Sequence, residues 1–323
     1  MNRHPNIIAG VAGLCMLAAT GLLQAQQYPV KPIRFVVPYT PGGITTVITH
    51  LVGGKLTDAW GQPVIVDNKP GGNAAIGAEF VSKAPADGYT IMLIAAAHVV
   101  LPHLTATPYD PIKDFSPIAS LDASDQLMVV SPGLPVNNLK EFIAYAKARP
   151  GQLNYASAGN GSSNHLATEL FNMMAGTQIR HIPYKGTGQA VTDVMAGQVQ
   201  LTLNTPLPVV AMVKSGKLKP IAMSGEKRLA SLPSVPTFNE AGLPGFEAKN
   251  WHGVIGPAGI PRDIVNKLSA ELGRIMVGAD VTEKIMAQGI EPFVTNADQF
   301  LALMLADSAK WAKVIKAANI KMD

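Results

Sequence analysis

Apolar and polar positions follow a regular strand–turn–helix order along the first hundred residues. The apolar run 33–37 predicts a strand, and after a glycine-containing turn apolar residues recur at helical spacing over 45–60. The order repeats with a strand at 63–66 and a helix at 75–84, and a third strand at 89–95 is almost wholly apolar. Such a run is typical of a buried parallel strand, so the three units predict a doubly wound α/β sheet.

The same order restarts near residue 126 and predicts a second α/β lobe. Strands are expected in five places, at 126–131, 153–157, 179–184, 199–204 and 218–223. Between the first two of these strands, Asn138 and Glu141 have the spacing of a capping box at a helix start. Repeated strand–loop–helix units in both halves of the chain favour two doubly wound sheets rather than one large one.

After Pro236 the pattern becomes mostly helical. Helices are predicted at 263–278, 281–288 and 297–317, and we expect them to return and cover the first lobe. The chain would then cross between the lobes near 122–128 and again near 246–252, which predicts a hinge of two segments.

The N-terminal segment predicts export. Arg3 and His4 precede an apolar run over 7–23, and small and polar residues follow it. This order is typical of a cleavable secretory signal peptide, and glycines within the run make the alternative, a membrane anchor, less suitable. Cys15, the only cysteine, lies in this segment, so the mature protein is expected to contain no thiol.

The predicted organisation has three parts. Cleavage after Ala25 removes residues 1–25 as the signal peptide. Residues 26–124 together with 248–323 form lobe 1, and residues 125–247 form lobe 2.

Charge and motifs exclude several classes of function. The 26 Lys and Arg residues against 22 Asp and Glu give a net charge of +4, and they are scattered without the basic cluster that nucleic-acid binding needs. No P-loop is present, and Gly186-Thr-Gly188 lacks the third glycine of a dinucleotide fingerprint because Val191 stands there. The seven histidines show no metal-ligand spacing, so neither a metal nor a cofactor is expected.

Glycine-containing turns before helix starts are the strongest candidates for a binding site. The first N–H groups of a helix have no internal partner, and the helix dipole adds positive potential there, so such turns suit an anion. The candidate residues are Gly42, Gly43, Ile44, Thr45, Thr46, Gly72, Asn73 and Ala74 in lobe 1, and Ser157, Gly161, Ser162, Ser163 and Asn164 in lobe 2. None is Lys or Arg, so backbone N–H groups and hydroxyls would hold the anion.

Two alternatives to this interpretation stay open. The turns could be simple connections within an α/β fold. A second class of function is a periplasmic hydrolase that uses Ser162 as nucleophile and His165 as base, although no orienting acid lies near them in sequence.

Short motifs in order along the mature chain resemble those of the Bug family, the periplasmic binding proteins of tripartite tricarboxylate transporters. The matching stretches include Tyr28-Pro-x-Lys-Pro-Ile33, Val37-Pro-Tyr-Thr-Pro-Gly-Gly43, Asn68-x-Pro-Gly-Gly72, Pro85-x-Asp-Gly-Tyr-Thr90, Tyr109-Asp-Pro-x-x-Asp-Phe115, His181-Ile-Pro-Tyr-Lys-Gly186 and Trp251-x-Gly253. The resemblance implies a two-lobed Venus-flytrap fold, a carboxylate ligand in the cleft and a membrane permease as partner. It also implies a periplasmic location, and we expect a monomer. A ligand-sensing partner of a membrane receptor would have the same cleft.

Three positions depart from the family's pattern. The family often has Asp at position 46, Arg at position 50 and an acid at position 204, where this chain has Thr46, His50 and Asn204. An acid at 204 would suit a ligand's ammonium group, so Asn204 favours a plain or aromatic carboxylate over an amino acid. Tyr39 and Tyr184 are candidates for the walls of the pocket or for packing beside its loops.

Overall fold

The computed structural model describes residues 28–41, 44–287 and 289–321. The predicted signal peptide, Cys15, and the candidate donors Gly42 and Gly43 lie outside the described residues.

Eleven strands and ten α-helices are formed within the described part of the chain. The strands are β1 (Ile33–Val37), β2 (Val64–Asn68), β3 (Thr90–Ala95), β4 (Phe115–Ser124), β5 (Leu127–Val130), β6 (Asn154–Ser157), β7 (Arg180–Pro183), β8 (Leu201–Asn204), β9 (Lys219–Met223), β10 (Asn250–Pro257) and β11 (Glu291–Pro292). The helices are α1 (Ile44–Trp60), α2 (Ala75–Ser82), α3 (Ala97–Val100), α4 (Leu139–Lys147), α5 (Ser163–Ala175), α6 (Thr187–Met195), α7 (Val210–Lys214), α8 (Arg262–Met276), α9 (Ala279–Met286) and α10 (Ala297–Ala317).

The strands form two separate sheets, one for each lobe. The first has the order β11-β4-β10-β3-β1-β2, in which β1 is parallel to β2 and β3, while β10 runs antiparallel to β3 and β4. The second has the order β7-β6-β8-β5-β9, with β6 parallel to β7 and β8, and β5 antiparallel to β8 and β9. The two-lobed α/β fold predicted from the sequence is confirmed, with both sheets mixed rather than wholly parallel.

Two chain segments connect the lobes, and one buried serine joins them. The first segment leads from β4 into β5, and the second leads into β10. The N–H of Gln126 donates to Ser224 Oγ at 2.7 Å, and that hydroxyl donates in turn to the carbonyl of Ala248 at 3.1 Å. The two crossings are therefore held against each other.

The last helix contributes to the cores of both lobes. Phe300 and Met304, in the first half of α10, pack with Trp251 of the first sheet. Trp311 and Val314, about two to three turns further on, pack in the second lobe's apolar core. We propose that residues 26–124 with 248–323 form lobe 1 and residues 125–247 form lobe 2. Helix α10 then links the two lobes structurally.

Among the described residues, none of the helices has both the length and the apolar character that crossing a lipid bilayer requires.

Candidate ligand-binding cleft

The turn between β2 and α2 has an unusual backbone. Four consecutive residues have positive φ angles: Gly71 (125°), Gly72 (55°), Asn73 (53°) and Ala74 (78°). The left-handed conformation costs an L-residue with a Cβ about 1–2 kcal/mol, so Ala74 in particular is held there by its surroundings. The turn lies at the carboxyl end of a parallel strand, where open α/β sheets bind ligands.

The start of α1 is tied to the same turn. Thr45 and Thr46 are buried in its first helical turn. The side-chain amide of Asn68, the last residue of β2, donates to the carbonyl of Tyr39 at 3.0 Å and to Thr46 Oγ1 at 3.3 Å. One amide therefore fixes the two ends of the β1–α1 loop.

In the second lobe, Asn164 organises the loop that leads into α5. Its Oδ1 accepts from the N–H of Ala158 at 3.2 Å, and the hydroxyl of Ser162 lies 2.7 Å from the same oxygen. Its Nδ2 donates to Oδ1 of Asn204 at 3.4 Å, and Asn204 Nδ2 donates to Thr202 Oγ1 at 2.8 Å. Asn164 and Asn204 are both buried, so this network connects the loop to the end of β8.

Much of the loop's backbone is already hydrogen-bonded within the lobe. The N–H of Gly159 donates to Ser157 Oγ at 3.1 Å, and the N–H of Gly161 donates to His165 Nδ1 at 3.1 Å. Ser157 is fully buried, and its Oγ lies 2.5 Å from His181 Nε2. The N–H groups at the start of α5, from Ser163 onward, are therefore better candidates for binding an anion than those of the loop. A helix has no internal acceptors for its first N–H groups.

Ser162 and His165, the pair of the hydrolase alternative, bond to other groups. The hydroxyl of Ser162 lies 2.6 Å from the carbonyl of Gly159, and His165 Nδ1 accepts from a backbone N–H. The ring of His165 stacks on that of His181 with centroids 3.7 Å apart. Burial and the neighbouring imidazole lower the pKa of His165 to about 3, so it stays neutral at ordinary pH. This geometry does not favour the hydrolase alternative.

The two candidate tyrosines occupy different environments. Tyr39 lies in the wall of the cleft, where burial and the neighbouring Tyr109 raise its pKa to about 12. Tyr184 packs with apolar residues on the α6 side of the second sheet, and its hydroxyl donates to Asp193 Oδ2 at 2.7 Å.

Because its hydroxyl is used within the lobe, Tyr184→Phe is expected to lower the free energy of unfolding by about 1 kcal/mol and to leave ligand affinity unchanged. Chemical denaturation and calorimetric titration would measure the two effects. A tenfold loss of affinity at unchanged stability would instead place the tyrosine in the binding site.

A cavity between the lobes has a volume of about 570 Å³. The first lobe lines it with residues 38–40 and 70–74, and the second lobe with residues 160–162. A third, apolar wall was not predicted from the sequence and consists of Ala97, Val100, Leu101 and Leu104. The apolar run that follows β3 was its only sequence signal. None of the described lining residues carries a charge.

The predicted residues do not all line this cavity. Gly72, Asn73, Ala74, Gly161 and Ser162 line it together with Tyr39. Ile44 instead lines a second cavity of about 330 Å³, which Thr205 borders from the other lobe. Five further candidates are buried and line neither cavity: Thr45, Thr46, Ser157, Asn164 and Asn204. Within the described ranges, no group of three or more His, Cys, Asp or Glu side chains could hold a metal ion.

Two α/β lobes, connected by two segments and enclosing a cavity at the ends of their strands, define a protein of the periplasmic binding protein fold. The chain belongs to the tripartite tricarboxylate transporter family receptors, whose family model matches residues 48–320. The family resemblance seen in the sequence motifs is thereby confirmed.

Several relatives match over nearly the whole chain. Protein BugT of Bordetella pertussis is 34% identical over 93% of this chain and 93% of its own. An adipate-bound protein of R. palustris is 33% identical, with a TM-score of 0.74 over 91% of this chain and 99% of its own. MatC of Rhodopseudomonas palustris with bound malate is 30% identical, with a TM-score of 0.68 over 89% and 100%. A ligand-free solute-binding protein from Polaromonas is also 30% identical, with a TM-score of 0.82 over 90% and 99%.

Proposed function

We propose that this protein is an exported receptor that captures a small organic carboxylate between its lobes and delivers it to a membrane permease. The observation that carries the proposal is the uncharged cavity that residues 70–74 and 160–162 line from opposite lobes. Relatives with adipate and with malate bound support the carboxylate class. Binding without catalysis is supported by the separate hydrogen bonds of Ser162 and His165.

Capture would proceed by closure of the lobes. A carboxylate first meets the turns of lobe 1, at the start of α1 and at residues 72–74. Closure then brings the start of α5 onto the ligand's other side. Charge-assisted hydrogen bonds contribute about 1.5–3 kcal/mol each, against the cost of ordering the ligand and the lobes.

The second lobe favours a ligand without an ammonium group. Asn204 supplies a neutral amide at the end of β8, and its two polar atoms bond to Asn164 and Thr202. No acid stands at this position to pair with an ammonium.

The proposal also includes a location in the periplasm and a monomeric state. The signal-like sequence of residues 1–25 supports the periplasmic location.

A thermal-shift screen tests this function. The exported protein is unfolded and refolded to remove any bound ligand, then mixed with adipate, malate, aspartate and glutamate. Ligand at about 100 times its Kd should add about 2.7 kcal/mol of stability, which raises the melting temperature by several degrees. The dimethyl esters of the same dicarboxylates are the control, because they keep the carbon chain and lose the charge. If no carboxylate raises the melting temperature, or if only the amino acids do, the proposed ligand class is wrong.

A further inference from the structure

A buried acid–base pair lies where the first sheet approaches the second lobe. His252 on β10 stands opposite Asp122 on β4, and Nδ1 of the imidazole lies 2.7 Å from Oδ1 of the carboxylate. Their side chains are only 5% and 0% exposed. Both residues lie within a few positions of the points where the chain crosses between the lobes.

The carboxylate of Asp122 depends on His252 for its charge balance. Its second oxygen, Oδ2, is buried and has no hydrogen-bond partner among the described residues. A buried carboxylate is costly unless a cation compensates it. Burial by itself lowers the pKa of His252, but attraction to Asp122 and the hydrogen bond between them outweigh that effect and raise it.

The histidine also borders a cavity that both lobes line. It lines the second interlobe cavity, of about 330 Å³, whose other walls include Ile44 and Val47 of α1 and Thr205 and Leu207 of the second lobe. Its Nδ1 is occupied by Asp122, and no partner for Nε2 is found within the described ranges. Nε2 is therefore the ring nitrogen that His252 can offer to a ligand, and it is an N–H donor when the imidazole is protonated.

The charged side chains nearest this cavity line a neighbouring one, which shares Ser124 and Gly289 with it and includes Asp125, Lys227, Arg228 and Lys249. The described residues that line this cavity include no charged side chain besides the histidine itself. Asp122 faces it from β4, Glu291 is the titratable residue of β11, and the exposed His50 lies on α1 beyond Val47. Ala95, its neighbour on β3, does not titrate. Among the described lining residues, His252 is thus the only ionisable group that an anion in this cavity would meet.

We propose that His252, paired with Asp122, binds one acidic group of a dicarboxylate whose other group is held by the backbone turns. His252 is then a specificity-determining residue that selects dicarboxylates over monocarboxylates. This inference rests on the proposed function and adds an ionisable contact beside the 570 Å³ cavity, whose described lining residues carry no charge.

The test compares His252→Gln with His103→Gln, an exposed histidine of the same lobe that bonds to Ser308. Calorimetry gives the affinities for adipate and malate and for their monomethyl esters, which have nearly the same length and one charge fewer. His252→Gln should weaken binding of the dicarboxylate at least tenfold, with little change for the monoester. The preference for the dicarboxylate over its monoester is then lost. His103→Gln should leave both unchanged. A selectivity retained in His252→Gln overturns the inference.

Two further outcomes separate the inference from the proposed function. If the wild-type protein binds no carboxylate at all, the proposed function fails. If it binds dicarboxylates and His252→Gln does not fold, imidazole 15N resonances of the wild type decide. The titration midpoint of one buried histidine should rise on saturation with the dicarboxylate and stay unchanged with the monoester. Midpoints that are all unaffected by the dicarboxylate overturn the inference.

Discussion

Replacing Asn164 by alanine is expected to weaken carboxylate binding at least tenfold and to lower the free energy of unfolding by about 1–3 kcal/mol. The amide of Asn164 accepts bonds from Ala158 and Ser162 and donates to Asn204. Its removal leaves the N–H of Ala158 without its acceptor and separates the loop from β8. The start of α5 would then no longer be fixed for an anion, and affinity falls because the loop must be ordered on binding.

Asn138→Ala is the matched control for this experiment. Asn138 is an exposed asparagine in the same lobe whose side chain caps α4 by accepting from the N–H of Glu141 at 2.9 Å. Losing this cap should cost about 1 kcal/mol of stability and leave affinity unchanged. Chemical denaturation and calorimetric titration of both variants separate a general loss of stability from loss of the site. Full affinity in Asn164→Ala would show that the loop does not need its amide.

Gly253→Ala is expected to lower the free energy of unfolding by about 3 kcal/mol, at the upper end of the usual cost of overpacking. A Cβ added at this position of β10 would lie 2.2 Å from Cζ of Phe300 and 2.8 Å from two further atoms of that ring. Phe300 is fully buried and packs edge-on against Trp251, with ring centroids 5.3 Å apart. The ring cannot withdraw without moving α10 away from the first sheet. Urea denaturation measures the loss.

Gly54→Ala serves as the control, because a Cβ there meets no atom within 4 Å. Gly54 is an exposed position of α1, where alanine should stabilise the helix by about 0.5–1 kcal/mol. In the double variant Gly253→Ala with Phe300→Leu, the smaller side chain should recover part of the lost stability. If Gly253→Ala is as stable as the wild type, the close packing of α10 on β10 is wrong.

The sequence alone predicts some strands of the first sheet and misses another. The apolar run at 33–37 predicted a strand over the residues that form β1. In contrast, β4 was not predicted, although it is the longest strand of the first sheet. Its polar residues Ser120 and Asp122 interrupt the apolar pattern, yet both are buried. They are accommodated because Ser120 bonds to the carbonyl of Phe293 and Asp122 bonds to His252, partners more than a hundred residues away.

The cleft, too, was predicted from the sequence only in part. The glycine turns and helix starts were identified from the sequence because positive φ angles and capping depend on residues within one or two turns of chain. Other contacts depend on how the strands are ordered. These are the bond of Asn164 to Asn204, the apolar wall at residues 97–104, and the meeting of His252 with Asp122 on neighbouring strands of the first sheet. Local backbone preferences and periodicity therefore determined the elements and the turns. The pairing of buried polar groups depended instead on the tertiary structure, in which the chain crosses twice between two sheets. Such groups are stable where distant partners satisfy their hydrogen bonds and charge, and no short stretch of sequence contains those partners.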